Sequence, residues 1–177
     1  MKKIGVAISL IVVFIIIYFL QVNFFSNFNI GGIKPNLFIL FILFIGLFAN
    51  QFLGITSGVL FGLILDLIYG KTIGITAVML CIIGYLGSYF DKNFSKENKF
   101  TIILMGAGAT VIFEFGSYFL ESIIMNYNRE YVAFLKILII EVIYNILLTI
   151  LLYPLIQKMG YIIDRTFKRN NILTRYF

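Results

Sequence analysis

Long apolar runs divide this chain, and they limit how it can fold more than any other feature. The first run extends from Ile4 to Leu20, and further runs of similar character follow along the sequence. A bilayer core of about 30 Å takes about 20 helical residues at ~1.5 Å each. Only 12% of the residues are charged and the mean hydropathy is +1.02, too apolar for a water-soluble surface. The sequence therefore predicts an all-α, polytopic transmembrane bundle of six helices.

The runs place the six helices over about residues 4–22, 37–50, 53–69, 73–90, 100–125 and 132–155, within one integral membrane domain of residues 1–177. No small-x-small cleavage site follows the first run, so we predict that this helix is retained. The second and third runs are short, and the sequence leaves open whether both cross fully. Residues 157–177 are predicted to form a basic cytoplasmic tail, which could bind anionic lipid or a partner, or act only as a topology anchor.

Basic residues are distributed unevenly between the two ends of this arrangement. If the N-terminus lies inside, six crossings return the C-terminus inside. Ten Lys and Arg then lie inside and four outside: Lys2, Lys3, Lys92, Lys96, Lys99, Lys158, Arg165, Lys168, Arg169 and Arg175 against Lys34, Lys71, Arg129 and Lys136. This follows the positive-inside rule and predicts that both termini are cytoplasmic.

Several function classes lack the residues that they need. There is no histidine, and Cys81 is the single cysteine, so imidazole metal sites, Ser-His pairs and intrachain disulfides are excluded. No phosphate loop or nucleophile elbow is present. We expect no enzyme activity and no cofactor, and the net charge of +6 fits membrane topology better than nucleic-acid binding.

The stretch GITSGVLFGLILDLIYG carries regularly spaced glycines and one aspartate. Gly54, Gly58 and Gly62 lie one helical turn apart, Asp66 follows near the same side, and Gly70 ends the stretch. Small residues allow close backbone approach in lipid, where there is little hydrophobic reason to associate. We predict a helix-packing groove, and the sequence leaves open whether a helix of this chain or of a partner occupies it.

The role of Asp66 also has two interpretations. It can make a buried polar contact that fixes a helix interface, or it can lie near the surface close to Lys71. An aspartate at the bilayer centre costs about 2.5–3.5 kcal/mol on insertion scales, and less near the interface.

Two later helices carry polar residues within their apolar runs. Glu114, Ser117 and Glu121 share one face of the fifth helix, and Glu141 and Asn145 share one face of the sixth. Intramembrane carboxylates usually face a bundle interior or a cavity. They could relay protons or ions, line a binding pocket, or hold the two helices together.

The segment from Lys34 to Tyr89 carries an ordered set of motifs. It contains a Pro-x-Leu entry to the second helix, the stepped glycines, a Gly-Leu-x-x-Asp-Leu segment and a Gly-Tyr-Leu close. The matching residues are Pro35, Leu37, Gly54, Gly58, Gly62, Leu63, Asp66, Leu67, Gly70, Gly74, Gly84, Tyr85 and Leu86. The segment resembles the MreD family of bacterial rod shape-determining membrane proteins. Asn36 stands where the family usually has an acidic residue.

The resemblance implies a multi-pass protein of the bacterial inner (cytoplasmic) membrane. It implies a non-enzymatic scaffold of the cell-elongation complex for peptidoglycan synthesis, which binds a bitopic MreC-like partner and, through it, MreB, RodA and a penicillin-binding transpeptidase. The family is similar in fold to S components of energy-coupling-factor transporters, so a vitamin-binding S component is the alternative. The Ala-x-x-x-Ala step of those proteins is missing, because Ile11 follows Ala7 by four residues. An ion or proton channel that uses Glu114 and Glu141 is a third possibility.

Overall fold

The chain folds into a bundle of six helices, which confirms the predicted fold class. The computed structural model describes residues 2–69, 72–94, 96, 98–125 and 130–167, to which all structural statements below refer. The helices are α1 (Lys2–Phe19, continued by a π-helical turn Leu20–Phe24 and by Phe25–Asn27), α2 (Leu37–Phe48), α3 (Gln51–Tyr69), α4 (Ile75–Asn93), α5 (Lys99–Met125) and α6 (Tyr131–Phe167). All except α2 are long and apolar enough to cross a membrane.

Helix α2 is the short central element of the bundle. Its 12 residues span only about 18 Å, and almost all of them are buried. The other helices surround it, whereas α1 lies at the periphery with only 11% of its apolar span buried. The sequence left open whether the second and third runs both cross fully: α3, with 19 residues, is long enough, and α2 alone is not.

The start of α2 lies in the protein interior, against the middle of α5 and α6. Its free backbone N–H groups meet side chains there: the Asn36 N–H donates to Asn145 Oδ1 at 3.1 Å and the Leu37 N–H to Gln21 Oε1 at 3.3 Å. At its other end Phe48 lies against Gly160 and 5.4 Å from the Lys96 ammonium. The end of the preceding irregular segment, Pro35–Asn36, is held by the same Gln21 and Asn145 side chains, whereas residues 28–32 are exposed.

Helix α6 is longer than the sequence predicted. The sequence analysis placed its end near residue 155 and a basic tail at residues 157–177, but the helix continues to Phe167. Proline removes one helical hydrogen bond, and transmembrane helices tolerate this where neighbouring groups compensate. The rest of the predicted tail, residues 168–177, lies outside the described residues.

One lysine ties the helices together at the end where α4 and α5 connect. The Lys96 ammonium lies 3.0 Å from Asp91 on α4 and 2.8 Å from Asp164 on α6, and Gln157 donates to the Lys96 carbonyl. Burial lowers the pKa of Lys96, but the hydrogen bonds to Asp164 and Asp91 outweigh it and raise the pKa above its ordinary value. The stabilisation is therefore complete at neutral pH and is lost only when the pH rises through the folded-state pKa, above 10.5.

We expect Lys96→Met to destabilise the protein by about 1–3 kcal/mol, because two partly buried aspartates then lose their cation. Lys92→Met is the matched control, since Lys92 is exposed one turn away. The melting temperature of each detergent-purified variant, read by size-exclusion chromatography after heating, measures the difference. Equal melting temperatures for the two variants would show that the cluster contributes nothing.

Candidate functional site

The three stepped glycines of α3 face α4 of the same chain. A Cβ built on Gly54 would lie 2.6 Å from the Gly84 carbonyl oxygen, and one on Gly58 would lie 2.6 Å from the Leu80 carbonyl carbon. One on Gly62 would lie 2.8 Å from the backbone nitrogen of Ala77. These distances are shorter than real Cβ contacts, so only glycine allows the two backbones to approach this closely.

Two more glycines, whose packing role the sequence did not indicate, extend this contact to α2. A Cβ on Gly54 would also lie 2.8 Å from the Cα of Gly46, and one on Gly87 would lie 2.9 Å from the Leu47 nitrogen. Helices α2, α3 and α4 thus meet backbone to backbone. The sequence did carry a signal for this contact, because Gly46 and Gly87 each lie within a predicted apolar helix.

Asp66 caps the helix that the glycines contact. Its carboxylate accepts hydrogen bonds from the backbone N–H groups of Gly74 at 2.8 Å, Thr76 at 3.2 Å and Ala77 at 3.1 Å. The side chain is buried, and a negative charge is favourable at the N-terminus of a helix. Asp66 therefore makes the buried polar contact that was one of its two interpretations. Gly70 and Lys71 lie outside the described residues.

Asn145 joins three elements in the middle of the bundle. Its amide nitrogen donates to Thr110 Oγ1 on α5 at 2.9 Å, while its amide oxygen accepts from Asn36 before α2. Both Asn145 and Thr110 are fully buried. Gln21 of α1, which the sequence analysis did not single out, completes this polar layer by hydrogen bonding to Pro35 and Leu37.

The remaining predicted polar residues line two neighbouring cavities. Glu114, Ser117 and Glu121 line a cavity of about 310 Å³ between α3, α4, α5 and α6. Glu141 lines a second cavity of about 260 Å³, bounded also by Gln21 and Lys34. The Glu141 carboxyl is hydrogen-bonded to Glu114, so the two cavities meet at this pair.

Three residues that the sequence did not indicate form walls common to both cavities: Tyr69, Thr76 and Phe113. They come from three different helices or helix starts, so no spacing in the sequence could have grouped them. Among the described residues, no group of three acidic or cysteine side chains is arranged to hold a metal ion.

Long apolar helices around a buried short helix, with polar side chains held in the interior, define a polytopic α-helical membrane protein. A family model described as the rod shape-determining protein MreD matches residues 1–161. The chain therefore belongs to the MreD family, the rod shape-determining membrane proteins. No curated protein and no solved structure matches it.

The glycine contact predicts a sharp difference between two otherwise similar substitutions. Gly58→Leu forces α3 away from the Leu80 backbone, and we expect a loss of about 4 kcal/mol or more, enough to prevent recovery of a folded protein. Gly108→Leu is the control, because a Cβ at Gly108 of α5 meets nothing within 4 Å. Fluorescence-detected size-exclusion chromatography of tagged variants measures the folded fraction, and comparable peaks for both would contradict the packing role.

The Asp66 cap predicts that its removal is more damaging than removal of an exposed cap. Asp66→Ala leaves three N–H groups of α4 without their acceptor in the bundle interior, and we expect a loss of about 1–3 kcal/mol. Asn98→Ala removes an exposed cap, the acceptor for the Phe100 N–H, and water can replace it. The melting temperatures of the two purified variants test this, and an equal or larger decrease for Asn98→Ala would contradict it.

Proposed function

We propose that this chain is a non-enzymatic scaffold of the cell-elongation complex that holds a bitopic MreC-like partner by helix packing. Membership of the MreD family, matched over residues 1–161, carries the proposal. On this proposal the protein lies in the bacterial inner membrane with both termini in the cytoplasm. The distribution of basic residues supports that orientation, since Lys92 and Lys96 belong to the same end as Arg165.

Packing inside the chain reduces the number of surfaces that remain for a partner helix. The stepped glycines that were one candidate already contact α4, so a partner must lie against another face. Helix α1 leaves most of its apolar surface uncovered, and an apolar crevice of about 340 Å³ runs between α1, α2 and α6. Its walls include Leu10, Ile16, Phe44, Leu155 and Ile163.

A concave apolar surface suits a single transmembrane helix. Helices associate in lipid through close van der Waals contact, which a crevice provides over a larger area than a convex face. We therefore propose that side chains from the partner's transmembrane helix enter this crevice and lie against the buried helix α2. The partner would then bridge α1 and α6 and fix the position of the loosely covered α1.

Site-specific disulfide cross-linking tests this docking surface. In a Cys81→Ser background the chain has no other cysteine, so Ile16→Cys or Leu155→Cys introduces one thiol at the crevice. We expect each to form a disulfide with a cysteine scanned along the partner's transmembrane helix in native membranes.

The controls are Leu104→Cys and Phe119→Cys on α5, which are exposed to a similar degree but lie away from the crevice. Cross-linking at the α5 positions and not at the crevice would contradict the proposed docking surface and would show that the partner binds the α5 face. Deletion of the gene tests the scaffold function itself. If the cells keep their rod shape and the other members of the complex still co-purify with one another, the scaffold function is contradicted.

A further inference from the structure

The two neighbouring cavities lined by Glu114 and Glu141 have a chemical character of their own. Their walls combine carboxyl groups with aromatic rings: Glu114 and Glu121 lie beside Tyr118, Phe134 and Phe113. The rings of Tyr118 and Phe134 are packed against each other, with their centroids 4.4 Å apart. Carboxylates and aromatic faces together are the groups that attract organic cations.

One buried acceptor among these groups is unused. Glu141 is only 6% exposed, and its Oε1 atom has no hydrogen-bond partner among the described residues. The Ser117 hydroxyl on α5 is also buried, and it has no hydrogen-bond partner within the described part of the chain. A buried acceptor without a hydrogen bond destabilises a folded protein, so these atoms favour a ligand that supplies donors.

The charge of the walls selects the ligand class. Because a hydrogen bond between two carboxyl groups needs a proton, Glu114 and Glu141 together carry at most one negative charge, and Glu121 lies in the same walls. Lys34 is the one lysine among the described wall residues, and its ammonium already donates to Ser26 at 3.0 Å. The Asp66 carboxylate already accepts hydrogen bonds from backbone N–H groups at the start of α4. A carboxyl-lined recess with apolar walls concentrates cations and repels anions.

We propose that the two cavities form one binding site for an organic cation with a primary ammonium or guanidinium group. The cationic head donates hydrogen bonds to Glu141 and Ser117, and the aromatic walls contact the remainder of the molecule. Such a head occurs in soluble amines and in the ethanolamine group of membrane lipids. This site is independent of the scaffold surface, which lies at the crevice between α1, α2 and α6.

Calorimetric titration of the full-length protein in phosphatidylcholine nanodiscs tests the site, with agmatine as the probe and glutarate as its anionic counterpart. We expect saturable binding of agmatine at concentrations up to about 10 mM and no binding of glutarate. Glu141→Gln should weaken agmatine binding by about tenfold or more. Glu130→Gln, which changes an exposed glutamate before α6, should leave it unchanged.

A second variant keeps the proposal testable if Glu141→Gln fails to fold. Ser117→Leu fills the larger cavity without removing a charge, and it should also abolish agmatine binding. Repeating the titration in phosphatidylethanolamine nanodiscs distinguishes the two sources: weaker agmatine binding there indicates the lipid headgroup, and equal binding indicates a soluble amine.

Absence of agmatine binding in both lipids would overturn the proposal, because it would mean that water satisfies the Glu141 oxygen. Equal binding by wild-type protein, Glu141→Gln and Ser117→Leu would overturn it as well. The melting temperature of each variant is recorded beside the titration, so that loss of binding is not mistaken for loss of the fold.

Discussion

The structure depends on satisfying backbone hydrogen bonds where lipid offers none. Two helices begin inside the protein, and side-chain oxygens accept hydrogen bonds from their first N–H groups. Asp66 accepts three hydrogen bonds at the start of α4. Asn145 and Gln21 accept one each at the start of α2. A bare helix end at this depth would cost several kcal/mol for each unsatisfied group. The polar side chains that seem misplaced in apolar runs therefore make this topology possible.

Close packing through glycine provides the attraction that lipid does not. Because hydrocarbon tails solvate an apolar helix as well as another helix does, association depends on how closely the backbones approach. Gly46, Gly54 and Gly84 bring α2, α3 and α4 together at one level, while Gly58 and Gly62 continue the contact along α4. The same face of α3 ends at Asp66, so one flank of one helix both packs against α4 and caps it.

Local patterns in the sequence predicted much of this arrangement, and non-local pairing accounts for what they missed. Apolar runs predicted six helices, and the four-residue glycine step predicted close approach without naming the neighbour. The cap on Asn36 is supplied from 109 residues away, so no spacing could reveal it. The sixth helix was predicted to end near residue 155, but it continues past Pro154 to Phe167, because a transmembrane helix tolerates a proline where neighbouring groups compensate. The shared cavity walls, Tyr69, Thr76 and Phe113, likewise meet only after the helices pack.

The shortness of α2 also explains why the bundle is dense at one end and hollow at the other. Where α2 is present, Phe48 and Leu43 fill the centre and Lys96 closes the end with two aspartates. Before α2 begins, the chain is irregular, and the space that further helical turns would have filled is bounded instead by Pro35, Asn36 and Glu141. A half-length central helix thus leaves one end of the bundle densely packed and the other end with a polar recess.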